Sequence, residues 1–218
     1  MRRRLTTSNV IPRIASSIPL CGKHVLEVGC GKGFRSLEIA EWCESLVAMD
    51  SDREAINWAD RGKGGEAVVF RVGSILAPDF PPASFDAIIF TLSLHHLDKS
   101  CMQLALDNAV RLLRDTGHII ILEPGFEGSL HEAELLFGAG DGDERLQKLW
   151  AYEAMLSHPR LRPILEFHEE ERFKYTNLRL FEAHLNPKRN ASMWERFLAN
   201  NDFELTARRR VNIFRLKG

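Results

Sequence analysis

The chain has 218 residues, 29 Lys and Arg against 30 Asp and Glu, a formal charge of −1 and 44% hydrophobic residues. That length suits one domain, able to bury about 70% of its unfolded surface without a disulfide or metal staple. The composition excludes intrinsic disorder, and no apolar run approaches the ~20 residues of a membrane-spanning helix. Cys21, Cys30, Cys43 and Cys101 form no C-x-x-C pair. They read as reduced thiols of a cytoplasmic protein, neither a disulfide framework nor a zinc site.

Residues 1–23 hold five basic side chains and no acid, but Thr6, Thr7, Ser8, Pro12 and Arg13 interrupt the apolar run a secretory signal needs. The segment reads as a plain basic N-terminus, with an organelle transit peptide as the alternative. Arg208, Arg209, Arg210, Arg215 and Lys217 make the C-terminal end basic, and residues 126–144 are acidic. These are solvated ends and a solvated acidic helix, not the spread basic face of a nucleic-acid binder.

From residue 24 to 122, short apolar runs alternate with amphipathic stretches. His24–Val28 predicts a first strand, and Leu37, Ala40 and Cys43 follow at helical spacing. Leu46–Met49 predicts a second strand, after which Asp52 caps a helix running to Gly62. Ala67–Val72 and Phe85–Leu92 are the third and fourth strands. Met102, Leu106, Ala109 or Val110, and Leu113 mark one helix face, and His118–Leu122 is the fifth strand. Nearly all-apolar strands between helices are the pattern of a parallel sheet covered on both faces. Beyond residue 126 the regularity changes: two helical segments, about 129–138 and 144–157, precede the charged stretch Glu169–Arg172. Ser192–Asn200 reads as a helix and Phe203–Leu216 as one or two strands.

The densest signal is Glu27-Val28-Gly29-Cys30-Gly31-Lys32-Gly33, a strand running into three alternating glycines. Glycines admit positive φ and let a ligand approach the backbone, and in an open parallel sheet this first turn borders the ligand crevice. A dinucleotide needs G-x-G-x-x-G, but Phe34 and Ser36 stand where the last glycine belongs in the two possible registers. A nicotinamide-dependent oxidoreductase and a P-loop are therefore disfavoured. A nucleoside with a charged tail fits better, with Asp50 ending the second strand and offering two acceptor oxygens to ribose hydroxyls.

Glu27-x-Gly29-x-Gly31-x-Gly33, Asp50, Gly73-Ser74, Ser84–Ile89, Leu94-His95-His96-Leu97 and Arg111-Leu112-Leu113 ahead of Gly117 occur in that order. Together they resemble a class I S-adenosylmethionine-dependent methyltransferase, nearest the small-molecule branch with an L-H-H motif after the fourth strand. The resemblance spans about residues 23–125. It implies an α/β fold: a single Rossmann-like doubly wound sheet, mostly parallel with an antiparallel C-terminal strand, and a helical cap inserted after the fifth strand. Residues 1–218 would form one domain, with 1–23 a lid segment, 24–125 the cofactor-binding core, 126–190 the cap and 191–218 a C-terminal helix and strands of the core.

The resemblance also implies site roles. Gly29, Cys30, Gly31 and Gly33 would line the methionine and ribose part of S-adenosylmethionine, whose product is S-adenosylhomocysteine. Glu27 would organise that loop through water or a backbone N–H. Asp50, with Ser51 beside it, would bind the ribose. Gly73, Ser74 and Ile75 would sit by the adenine, and Thr91 and Leu92 by the methionine amine. Ser74 departs from the family, which usually has an acid there, and implies a weaker adenine contact.

Methyl transfer needs a base only for a protonated acceptor, and His95 and His96 have the reference pKa for it, His95 slightly favoured. Otherwise one of them packs in the core or holds the loop. Glu123 either orients an amine or hydroxyl substrate or is a solvated strand-end acid. His131, Glu132 and Glu134 read as helical surface. His168-Glu169-Glu170-Glu171 lacks metal-ligand spacing, because adjacent residues face different ways, so no metal is expected. Trp150, Phe167, Phe173 and Phe181 are aromatic core unless they wall a substrate pocket. The residues after the fourth strand, Thr91-Leu92-Ser93-Leu94, lack the [DNS]-P-P-[YFW] motif that in the resembled family marks methylation of amino groups in nucleic acids or glutamine, and the Pro-Cys of cytosine-C5 chemistry; with the near-neutral charge, a small-molecule acceptor is expected. A non-catalytic cofactor-binding module is the alternative.

Overall fold

The computed structural model describes residues 6–61 and 67–217. Arg2, Arg3 and Arg4 of the basic N-terminus, and the expected helix end at Gly62, lie outside the described residues. The elements are β1 (Thr6–Thr7), α1 (Val10–Ser17), β2 (His24–Val28), α2 (Phe34–Ala40), β3 (Ser45–Asp50), α3 (Arg53–Asp60), β4 (Val68–Val72) and β5 (Phe85–Thr91). A 3-10 turn (Leu94–His96) follows, then α4 (Lys99–Leu112), β6 (Leu113–Pro124), α5 (Ser129–Phe137), α6 (Arg145–Ser157), β7 (Leu161–Lys174), α7 (Leu178–Leu185), α8 (Ala191–Asn200) and β8 (Glu204–Leu216).

The strands are hydrogen-bonded in the order β1-β7-β8-β6-β5-β2-β3-β4. β2 runs parallel to β3 and β5, β3 to β4, and β5 to β6, while β1 is antiparallel to β7. The five strands expected between residues 24 and 122 are these parallel ones, and the sheet is mostly parallel. The chain divides into two compact units. The larger holds Ile11–Glu123, Gln147–Phe167 and Val211–Gly218; the smaller holds Met1–Val10, Pro124–Leu146 and His168–Arg210.

In the larger unit, the central strands are apolar because both faces are covered. β2 and β5 bury Val25, Leu26, Ile88, Ile89 and Phe90 at 1% exposure or less. α4 answers with Met102, Ala105, Leu106, Ala109 and Val110, spaced at three and four residues so that they form one stripe. Each fully buried Val, Leu, Ile, Phe or Met side chain among these contributes about 1.5–3 kcal/mol. α3 starts where expected: the Asp52 carboxylate accepts from the backbone N–H groups of Glu54 and Ala55, at 2.8 and 3.1 Å. Within the segment expected to act as a lid, α1 buries Ile11 and Ile14 almost completely, and Pro12 sits in its first turn, where proline is tolerated.

The smaller unit has its own core, in which Phe137, Tyr175 and Phe181 pack with Leu205 and Ala207. A buried ion pair joins Arg209 of β8 to Glu171 of β7. Asn177 caps α7 through its side-chain oxygen, which accepts from Leu180 N at 3.1 Å.

The expectation of a helical cap over 126–190 needs correction. The two expected helices exist as α5 and α6, but the charged stretch Glu169–Arg172 belongs to the 14-residue strand β7. Residues 147–167 also group with the larger unit and not with the rest of the segment. Nor does the last strand begin at Phe203. Asp202 and Phe203 both have positive φ, 52° and 55°, so they turn the chain before β8 begins as a single strand.

Candidate active site

β2 delivers the chain into the glycine turn at the C-terminal end of the parallel strands, where an open α/β sheet holds its ligands. Gly29, Gly31 and Gly33 have φ of 78°, 51° and 70°, a region that side chains strain to enter. Gly29 has a second reason: a Cβ there would overlap the Ser93 side chain, whose hydroxyl donates to Val28 O at 2.7 Å. The Gly29 and Cys30 N–H groups donate to Met49 O at 2.8 and 3.2 Å, which ties the turn to the end of β3. The next residue of β3 is Asp50. Its Oδ2 accepts from Gly31 N at 2.7 Å and its Oδ1 from Asp52 N at 2.9 Å. Each oxygen has a second lone pair, so the carboxylate keeps acceptor capacity for a ligand.

These residues border a cleft of about 340 Å³, within the range of small-molecule sites. Of the residues expected to hold the cofactor, Gly29, Gly31, Asp50, Ser51, Gly73, Ser74, Ile75 and Leu92 line it. Glu27, Cys30, Gly33 and Thr91 stand behind the wall. Gly33 is the N-cap of α2, and a Cβ there would meet the Phe70 ring at 2.6 Å, so packing requires that glycine. Val28, Met49, Phe90, Ser93 and Leu97 also line the cleft, although no site role was expected of any of them from the sequence. Of these, Ser93 carried a usable signal, as the polar residue between the end of β5 and the Leu94-His95-His96 turn.

Glu27 is fully buried. The expectation that it organises the turn through water or a backbone N–H is met differently. Its carboxylate accepts from the Ser36 hydroxyl at 2.5 Å and the Thr91 hydroxyl at 2.9 Å. The Thr91 hydroxyl also lies 3.1 Å from Gly29 O. Thr91 therefore braces the turn with its side chain. Burial pushes the Glu27 carboxyl above the usual carboxylate range, against the lowering effect of the two hydroxyls. Burial likewise raises the Cys30 thiol, with Glu27 and Asp50 adding to the rise, so it is not a nucleophile at neutral pH.

The two histidines separate cleanly. His96 is exposed and lines the cleft. His95 is buried at 2% exposure, and its Nδ1 is hydrogen-bonded to Glu123 Oε2. The other Glu123 oxygen accepts from Leu94 N at 3.0 Å. Glu123 is thus a fully buried anchor of the turn, and the reading of it as a solvated strand-end acid is wrong.

The remaining candidates are not brought to the cleft. Trp150 packs against the core of the larger unit and Phe167 lies under the Arg13 guanidinium, while Phe173 and Phe181 belong to the core of the smaller unit. His131, expected on a helix surface with Glu132 and Glu134, is buried on α5, with its Nδ1 3.1 Å from Glu134 Oε2. His168 to Glu171 alternate along β7, and Glu171 is engaged by Arg209.

Comparison with known proteins agrees with this geometry. Residues 26–121 match a family model described as a methyltransferase domain. The chain is 28% identical over 167 residues to 27-O-demethylrifamycin SV methyltransferase of Amycolatopsis mediterranei, an alignment that covers 72% of this chain and 61% of that protein. The fold is similar to that of the YcgJ protein from Bacillus subtilis, with a TM-score of 0.62 and 15% identity over 95% of this chain and 98% of that one. It is also similar to the N-methyltransferase NodS from Bradyrhizobium japonicum, solved with S-adenosylhomocysteine, with a TM-score of 0.52 and 20% identity over 93% and 84% of the two chains. No helix among the described residues is long and apolar enough to cross a membrane.

Proposed function

We propose that the chain is a cytoplasmic S-adenosylmethionine-dependent methyltransferase with a small-molecule acceptor, of the branch that carries Leu94-His95-His96 after the fourth strand. The observation that carries this reading is the cleft at the ends of β2 and β3, with Gly29 and Gly31 on its wall and Asp50 beside them. The residues fit the cofactor. A Cβ on Gly31 would meet nothing within 4 Å, so a ligand can reach that backbone. Asp50 suits two neighbouring hydroxyls, and Ile75 and Leu97 give a purine apolar surface. The similarity to a protein named for demethylrifamycin SV supports a small acceptor.

The bound cofactor supplies a methyl group already activated by its sulfonium. The chain's own task is to hold and orient, which can provide about 7–11 kcal/mol. Glu27, with Ser36 and Thr91, keeps the turn in one conformation. Glu123 holds Leu94 and His95, and so fixes the turn that presents His96 to the cleft. His96 is the residue that takes the acceptor's proton; His95 keeps the turn in register, its Nδ1 being occupied.

Labelled methyl transfer from S-adenosylmethionine to a panel of small hydroxyl and amine acceptors tests the proposal. His96→Ala should lower turnover by about 10²–10⁴-fold on an acceptor that must lose a proton. Cofactor binding with no turnover on any acceptor would point instead to a non-catalytic binding module.

A further inference from the structure

A second cavity, of about 150 Å³, opens at the N-terminal ends of β2, β5 and β6, the opposite end of the strands from the glycine turn. Lys23, Asp86, Thr116, His118 and Arg215 line it over the buried Leu20. Its one carboxylate is already engaged. Asp86 Oδ2 accepts from His24 N at 2.9 Å and from Arg114 at 2.8 Å, and Oδ1 faces the Lys23 ammonium at 4.0 Å. Burial alone would raise the Asp86 carboxyl, but the His24 N–H, Arg114 and Lys23 together hold it below the usual range. Lys23, Arg114 and Arg215 against Asp86 leave two positive charges in surplus.

Arg215 is the informative member. Its Nε donates to His118 Nε2 at 2.9 Å, which makes that ring nitrogen an acceptor and places the His118 proton on Nδ1. The terminal nitrogens of Arg215 have no hydrogen-bond partner among the described residues. A guanidinium edge of this kind matches two oxygens of a tetrahedral oxyanion. Burial first, then Arg215 and Lys23, keep the His118 pKa low. A cation would be repelled here, and a nucleotide would not fit the volume.

We propose that this cavity binds a phosphate-type oxyanion, either inorganic phosphate or the phosphate of a phosphomonoester. The Arg215 terminal nitrogens grip two oxygens, Lys23 supplies a second charge and the Thr116 hydroxyl a further donor. The site is separate from the cofactor cleft and does not depend on the methyltransferase reading.

The test follows the His118 ring signals by NMR during titration with inorganic phosphate, at ionic strength held constant with sodium chloride. A saturable shift is expected, with the apparent pKa of His118 rising as the anion fills the site. Arg215→Gln should weaken phosphate at least ten-fold while S-adenosylhomocysteine affinity stays the same. Lys23→Gln, at a side chain already 39% exposed, repeats the test should Arg215→Gln fold poorly. Phenyl phosphate distinguishes the two sources: equal or tighter binding assigns a phosphomonoester, and weaker binding assigns free phosphate. A non-saturating shift, or a response unchanged in both variants, overturns the proposal.

Discussion

β5 hides six of its seven residues and carries Asp86 as its one charged side chain, whereas β7 uses fourteen residues to bury four, one of them Glu171. The two strands are stable for different reasons. β5 gains from apolar area, which is non-directional and tolerates small changes in shape. β7 holds a carboxylate out of water, at a desolvation cost that the Arg209 ion pair helps to offset. A strand of the first kind loses stability in proportion to what is cut away. A strand of the second kind should fail sharply when one partner goes and recover when both go.

The largest effect is therefore expected at Arg209. Arg209→Met should cost about 3–5 kcal/mol in urea unfolding, because the fully buried Glu171 loses the partner it is ion-paired with. Glu171→Leu combined with Arg209→Met should recover most of that loss. A double variant as unstable as the single one would show that the pair is not what holds β7. In β5, Ile88→Ala should cost about 2–5 kcal/mol and Ile88→Val about 0.5–1.5, a graded response with no partner to remove. At the cleft, Asp50→Ala should cost about 1–3 kcal/mol of stability, since Gly31 N and Asp52 N lose their acceptor, and weaken S-adenosylhomocysteine about ten- to a hundred-fold by calorimetry, the loss of hydrogen bonds to a charged group.

The smallest effect is one of pH. Burial lowers the pKa of His118 in the larger unit and of His184 in the smaller one, so the unfolded chain binds more protons at these sites than the folded chain. Their contribution is fully present above the unfolded value of about 6.5 and is lost as pH falls through it toward the folded values. Thermal midpoints measured from pH 7.5 to 5 should fall, and less steeply in His184→Gln. An unchanged slope in that variant would remove His184 from the account.

The same contrast explains what could be read in the sequence. The apolar strands β2, β3, β5 and β6 announce themselves because both faces are covered, and Asp52 marks the start of α3 by its own chemistry. β7 was hidden: five consecutive residues, from Arg162 to Glu166, are exposed, Pro163 argues against a strand, and Glu171 looks like surface until Arg209 is brought beside it. Leu178, Phe181 and Leu185 have the spacing that would have revealed α7. In the site, the glycines and Asp50 were legible because local geometry demands them. The anchoring roles of Ser36, Thr91 and Glu123 were not, since each depends on residues 9, 64 or 28 positions away.

The claim that the turn after β2 cradles the cofactor is tested most directly by amide hydrogen exchange with and without S-adenosylhomocysteine. Slower exchange is expected at Gly29 to Gly33 and at Leu92 and Ser93, with no change at Thr116 to His118. Unchanged exchange in the glycine turn at saturating ligand, or protection only at the far end of the strands, would contradict it.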